Sequence, residues 1–232
     1  MAPVRSYANW NLRTNDGKEQ VEPYRKYYFI CEGANTETFY FKKLVDLRKN
    51  LGIHPLIDIR LLEKTEKDRD ISYPRQLIEF ANQLKEDDSI AFDKDRDQMI
   101  VVFDADIFEA KVSDYNEIVA LGEEQNILAI SNPAFELFLL LHYPESYQNA
   151  ILPHKEKIIA NEKIGNQRFI TRLLLEYSHI NAKKNAAIGE LAKNIDIAIE
   201  QEKYINQDIH RCKGNITCNI GAIIDAIRKE TI

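Results

Sequence analysis

Cysteine is scarce in this 232-residue chain: Cys31, Cys212 and Cys218 are the only three, and no two are spaced as CxxC. That speaks against a disulfide framework and fits a reducing compartment. His210 with Cys212 and Cys218 is too sparse a set for a convincing zinc site, so the thiols read as free groups in or near a core. Long apolar runs are also missing. None approaches the ~20 residues of a membrane-spanning helix. The opening stretch MAPVRSYANWNLRTNDGKEQ has no apolar centre of the kind a signal peptide carries. The expectation is a cytoplasmic protein with no membrane contact. Internal repeats and low-complexity tracts are absent. There is no surplus of positive charge, and a net charge of −6 argues against a nonspecific DNA coat. The aromatic residues fall mostly at core-like spacings, without the stacking platform of single-strand binders.

What is present is an ordinary globular composition, 44% hydrophobic and 29% charged, long enough to bury a core without staples. Residues 1–24 read as a polar arm. Four strand–helix alternations follow. YYFICEG (27–33) is a buried strand ending in a loop, and TETFYFKKLVDLRKN (36–50) has helical spacing. HPLIDIRLLE (54–63) alternates as a strand, and PRQLIEFANQLKEDD (74–88) is an amphipathic helix opened by proline. QMIVVFDAD (98–106) is the clearest strand, followed by a helix over 115–125 and a strand over 126–131. NPAFELFLLLHY (132–143) reads as a helix with Asn132 as N-cap and Pro133 in its first turn.

This alternation predicts an α/β fold: a mostly parallel sheet with helices on both faces, joined by right-handed crossovers. Residues 25–145 form this domain, and 146–232, rich in helical stretches and poor in strand signal, form a C-terminal helical extension. Lys and Arg number 18 against 27 Asp and Glu in residues 1–150, and 13 against 10 in residues 151–232. The positive charge that could face a polyanion is thus concentrated in the extension.

Open α/β sheets bind ligands outside the carboxyl ends of their strands. Glu32 follows the first strand there, and Asp104 and Asp106 follow the strongest one. If the backbone stays extended through Ala105, both aspartates project to one side, about 6–7 Å apart. Three carboxylates meeting at one edge repel one another, and a hard cation such as magnesium would neutralise them while activating a phosphodiester. The residues alone also allow the plainer reading, acidic strand ends standing in solvent. A receiver domain collects acids in the same place. It needs an acidic pair after the first strand and a lysine after a later one, and neither is here.

The stretches Cys31-Glu32-Gly33 with Thr36-Glu37 and Tyr40-Phe41, Phe103-Asp104-Ala105-Asp106, and Ser131-Asn132-Pro133-Ala134-Phe135-Glu136-Leu137 through Leu141-His142-Tyr143 resemble the RloB-like family. The resemblance covers roughly residues 26–145. It implies a Toprim-like catalytic fold and a role in phage defence and abortive infection. It further implies a metal-dependent nuclease in which Glu32 acts as general acid or base and Asp104 and Asp106 bind Mg²⁺ or Mn²⁺. The substrate, DNA or RNA (tRNA among them), does not follow from the motif. The resemblance also implies a partner, an ABC- or SMC-like ATPase encoded nearby. The chain has no GxxxxGK[ST] of its own, so that ATPase would be a separate protein.

Within the shared stretches, Glu37 lies in a first helical turn, where the dipole alone can account for a carboxylate, and it stands beside that reading as a candidate catalytic residue that would complete the site. Glu136 is the one acid in PAFELFLLLHY, and a buried carboxylate needs a partner, so it is a candidate to complete the site. His142 is expected on a different helical face, as a core or surface residue. Lys42, Lys43, Arg168, Arg172, Lys183 and Lys184 are the candidate phosphate contacts, each with solvated surface as its default. Two rivals stand beside the nuclease: a noncatalytic nucleic-acid-binding subunit of a defence ATPase, and a strand-rejoining Toprim activity, for which no nucleophilic tyrosine can be chosen. The sequence leaves self-association open.

Overall fold

The computed structural model describes residues 5–7, 22–65, 68, 71–106 and 112–232. Four parallel strands form the centre of a six-stranded sheet: β2 (Arg25–Cys31), β3 (Ile57–Glu63), β4 (Gln98–Asp104) and β5 (Ile127–Asn132). Antiparallel strands close both edges, β1 (Arg5–Tyr7) on β3 and β8 (Thr217–Cys218) on β5, giving the order β1-β3-β2-β4-β5-β8. Part of the segment read as a polar arm is therefore an edge strand, and most of the rest lies outside the described residues. β6 (Lys163–Ile164) and β7 (Gln167–Arg168) make a separate short hairpin.

Period-two patterning explains why the central strands are apolar on both sides. In β4, Ile100 and Val102 face one core while Met99, Val101 and Phe103 face the other. In β2, Tyr27, Phe29 and Cys31 face the first core, and Tyr28 and Ile30 the second. Helix α1 (Thr36–Leu47) covers the first face through Tyr40, Phe41, Leu44 and Val45. Helices α2 (Pro74–Lys85) and α3 (Val112–Glu123) cover the second. The mostly parallel sheet, layered on both faces, is consistent with a Rossmann- or Toprim-like fold.

The helix expected over 132–143 is shorter. Asn132 is the last residue of β5, the Asn132–Pro133 bond is cis, and α4 spans only Glu136–Leu140. Asn132 is not an N-cap. Its side-chain amide donates instead to the carbonyls of Cys212 (3.1 Å) and Asn215 (2.8 Å), which ties the β8 approach to the end of β5.

Residues 146–232 are helical, as expected, but they also supply β8 and share the first core. Ile158 of α5 (Lys155–Ile159), Leu173 of α6 (Phe169–Ser178), Ile195 of α7 (Ile195–Glu202) and Ile224 of α8 (Ile220–Lys229) all pack there. Asn219 holds this segment to the sheet, accepting from Ile130 N and donating to Leu128 O, each at 2.8 Å. Among the described residues no helix is long and apolar enough to cross a membrane. All three cysteines are buried free thiols, while His210 is exposed beside Glu123.

Candidate active site

The connection from β2 runs through α1 on one face of the sheet to β3, while that from β4 runs through α3 on the other face to β5. The neighbouring strands β2 and β4 thus send their chains in opposite directions, and the crevice between their carboxyl ends is the topological switch point. Glu32 and Asp104 sit on its two lips. Glu32 N–H donates to Val102 O at 2.9 Å, and Asp104 N–H donates to Glu32 Oε2 at 3.3 Å. The two share one rim of the sheet.

The pleat decides where Asp104 faces. It has the parity of Ile100 and Val102, so it turns toward the α1 face, where Ser131, its register partner on β5, donates to its Oδ1 at 2.7 Å. There it meets Glu37 and Glu136. Burial pushes the Asp104 carboxyl well above its ordinary value, and the charges of Glu37, Glu136 and Glu32 push further the same way. Glu37 is also raised, by burial and then by Glu136. Its carboxylate folds back over Gly33, so that a Cβ at position 33 would displace it.

Burial likewise raises Glu32, to about 7, with Glu37 and Asp106 adding to the effect. Glu136 is buried and accepts from Thr171 Oγ at 3.2 Å. Four carboxylates, Glu32, Glu37, Asp104 and Glu136, thus converge on one rim. Asp106 is the outlier. The strand ends at Asp104, and although Ala105 N–H still bonds Ser131 O, Asp106 engages residues of the extension, accepting from Asn161 Nδ2 (3.3 Å) and facing Arg168 (3.8 Å). Extended geometry does not persist through Ala105, where the chain bends. Asp104 is accordingly grouped with Glu37 and Glu136 rather than paired with Asp106.

Two aromatic-rich stretches place Glu37 and Glu136. Tyr40, one turn after Glu37, packs edge-on against Phe135 (5.7 Å) and Phe138 (5.3 Å), which flank Glu136. Its hydroxyl donates to His142 Nε2 at 2.9 Å, because His142 Nδ1 donates to Phe138 O. Burial lowers His142 to about 4, so it is a neutral core residue at physiological pH. Removing the hydroxyl in Tyr40→Phe leaves a buried nitrogen without its donor, with an expected cost of about 1–3 kcal/mol in urea unfolding.

Of the candidate cations, Lys42 pairs with Glu63 (2.6 Å), Lys43 with Glu190 (2.5 Å) and Arg172 with Glu176 (3.1 Å). Arg168 and Lys183 are close to the acidic rim, at Asp106 and Glu37 respectively, and Lys184 follows Lys183. Sequence reasoning missed Lys64. It stands one residue beyond β3, donates to the carbonyls of Glu32 and of Ile71 (2.8 Å for the latter), and offsets part of the charge of Glu32 and Glu37. The rule that singled out Glu32 and Asp104 applies to it equally. Ser131, Asn161 and Thr171 carried no such signal. A cleft of about 420 Å³, lined in part by Gly33, Thr38 and Lys64, opens beside this rim.

Among the described residues, no three His, Cys, Asp or Glu side chains are gathered as a ready-made metal-ligand set. Magnesium does not need one, because it commonly takes one or two protein carboxylates and completes its shell with water and substrate phosphate. Asp104 suits that role. It is a half-buried carboxylate, oriented by Ser131, among acids that a cation would relieve.

Fold and site together define an α/β protein with an acidic centre at its sheet's switch point. The family model described as RloB-like protein matches residues 27–227, and the chain belongs to that family. Comparison with curated proteins returned no match, and comparison with solved structures returned none.

Proposed function

We propose that this chain is a metal-dependent nuclease of Toprim type, hydrolysing phosphodiesters of DNA or RNA. The observation that carries the reading is the adjacency of Glu32 and Asp104 at the switch point, with Glu37 and Glu136 converging on the same rim. Asp104, with Glu32 or Asp106 as a second donor, would hold Mg²⁺ or Mn²⁺. When bound, that cation supplies Lewis-acid activation of the scissile phosphate.

The protein's own groups do the rest. Glu32, which burial raises to about 7 in the metal-free protein, lies beside Asp104 at the rim. When Asp106 rather than Glu32 is the second metal donor, Glu32 would take a proton from attacking water or return one to the leaving oxygen. Ser131 fixes the Asp104 carboxylate, and the aromatic contacts of Tyr40 fix Glu37 and Glu136. Lys64 limits the negative potential that would otherwise repel a phosphate.

Incubation with tRNA, mRNA, supercoiled DNA and single-stranded DNA tests the reading. Cleavage of at least one substrate, dependent on Mg²⁺ or Mn²⁺ and abolished by EDTA, is expected. Metal-independent cleavage, or none on any substrate with or without a nucleotide-loaded partner ATPase, overturns it. Millimolar Mg²⁺ is expected to raise the melting temperature of the wild type at pH 8 and to leave Asp104→Asn unmoved, because only a competent site binds the folded state preferentially. The wider role we propose is that of a cytoplasmic effector in anti-phage defence, controlled by a separate ABC- or SMC-like ATPase.

A further inference from the structure

Many cations of the extension are already neutralised. Arg172, Lys193, Lys203, Arg211, Arg228 and Lys229 are held in ion pairs. Lys163, Lys183 and Lys184 are exposed, and among the described residues none of the three is in an ion pair. These three, with Arg168, line a single groove of about 300 Å³ between the β6–β7 hairpin, α6 and the turn after α6. Lys155, Lys157 and Lys213 are likewise exposed with no ion pair among the described residues, but they do not line this groove, where three unpaired lysines gather in one concavity of a chain of net charge −6.

The groove is not purely electrostatic. Leu174, Leu175 and Ile180 line its apolar part, and Leu175 is 36% exposed although it is a large apolar side chain on a well-packed helix. Asn166 and Asn181 place exposed amides at its margin. One end reaches the acidic rim: Arg168 faces Asp106, Thr171 donates to Glu136, and the charge of Lys183 is felt by Glu37.

We infer that this groove is the substrate channel and that it takes a single-stranded segment, with backbone phosphates on Lys163, Lys183, Lys184 and Arg168 and an unstacked base against Leu175 and Ile180. The inference rests on the nuclease reading and deepens it by naming the substrate class. A duplex would satisfy the lysines but not the apolar surface, because its base faces are stacked on one another. An unpaired nucleotide satisfies both. The amides can meet base edges, and the aliphatic surface, which is not an aromatic stacking platform, gains apolar contact with the face of any unpaired base, so the channel selects strandedness more than sequence.

Fluorescence anisotropy in EDTA, which suppresses cleavage, tests it on the full chain. The probes are labelled 12-nucleotide single-stranded DNA, single-stranded RNA and a blunt DNA duplex. Tighter binding of one or both single strands than of duplex, by tenfold or more at low salt, is expected, and a difference between the first two identifies the sugar. The double variant Lys183→Glu with Lys184→Glu is expected to lose at least tenfold in single-strand affinity. A milder pair, Lys183→Gln with Lys184→Gln, should flatten the log–log salt dependence by about 1.4, at ~0.7 for each phosphate no longer neutralised. The uncharged variant Leu175→Ser is expected to weaken single strands and leave duplex binding unchanged, because it removes apolar surface without altering the charge of the groove. Equal binding of single and double strands, or unaltered single-strand binding by the lysine variants, overturns the channel. The nuclease reading fails separately: a protein that binds single strands as described yet cuts nothing with Mg²⁺ or Mn²⁺ keeps the channel and loses the chemistry.

Discussion

Replacing Asp104 with Asn, or Glu32 with Gln, is expected to lower the proposed cleavage by a factor of about 10³ or more while leaving the fold as stable as the wild type or more so. The activity loss follows from the roles proposed for the two side chains, a metal-orienting charge and a proton shuttle. The stability gain follows from the sign of the shifts. The folded-state value of Glu32 is about 7 against an ordinary 4.5, so the folded protein holds its proton more tightly than the unfolded chain does. Stability associated with that proton is fully present below pH 4.5 and is lost as pH rises through 7, a difference of up to about 3 kcal/mol. Asp104, shifted the same way by burial and by Glu37, adds to the slope.

In metal-free buffer the wild-type melting temperature should therefore fall between pH 5 and pH 8. Glu32→Gln should melt higher than the wild type at pH 8 and show a shallower decline. His142 works in the opposite direction, since its neutral form is the one the core holds and its contribution is lost as pH falls from 6.5 toward 4. Comparing the variant with the wild type removes this background. Full cleavage by both variants, or an unchanged pH slope in Glu32→Gln, would count against the assignment of the site.

The second large effect is expected far from that chemistry, at Glu202. This carboxylate is fully buried at the end of α7, where it accepts from Gly221 N (2.9 Å) and Ala222 N (2.7 Å) in the first turn of α8 and from Gln207 Nε2 (3.1 Å). It thus caps a helix that is not its own and satisfies donors that have no intrahelical partner. Glu202→Ala leaves those two N–H groups and the Gln207 amide unmet inside the core. A loss of about 3–4 kcal/mol in urea unfolding is expected. Because α8 begins beside Asn219, which is bonded to β5, exchange protection of the Ile130 amide should fall with it. A loss below about 1 kcal/mol would mean that water or a shifted α8 replaces the carboxylate.

Glu202 marks the limit of what the sequence could say. In NAAIGELAKNIDIAIEQEKYI it is one acid among several at the end of an amphipathic helix, and nothing local distinguishes it from Glu200, which pairs with Lys203 at the surface. Its partners lie 19 and 20 residues further on, across a turn and a strand. Asn132 shows the same limit. Asn before Pro and a run of apolar residues is a sound N-cap signal, yet β5 continues through it and its amide is drawn to residues 80 positions away. The edge strands β1 and β8 are short, three and two residues, too little for a periodic signal to register.

What the sequence determined by itself was the alternation of strands and helices, the two-faced burial of β2 and β4, and the acidic ends at Glu32 and Asp104. These follow from side-chain periodicity and from residues adjacent in the chain, which a linear pattern records. The tertiary structure decided which acids meet. The pleat at the end of β4 turned Asp104 toward Glu37 and Glu136, while Asn161 and Arg168 of the extension engaged Asp106. Only the fold could separate the groove lysines, which have no ion pair among the described residues, from Lys42 and Lys43, which α1 delivers to Glu63 and Glu190. The physical reason is one of range. Hydrophobic periodicity is written within a few residues, whereas charge neutralisation depends on whatever side chain packing brings to within a few ångströms.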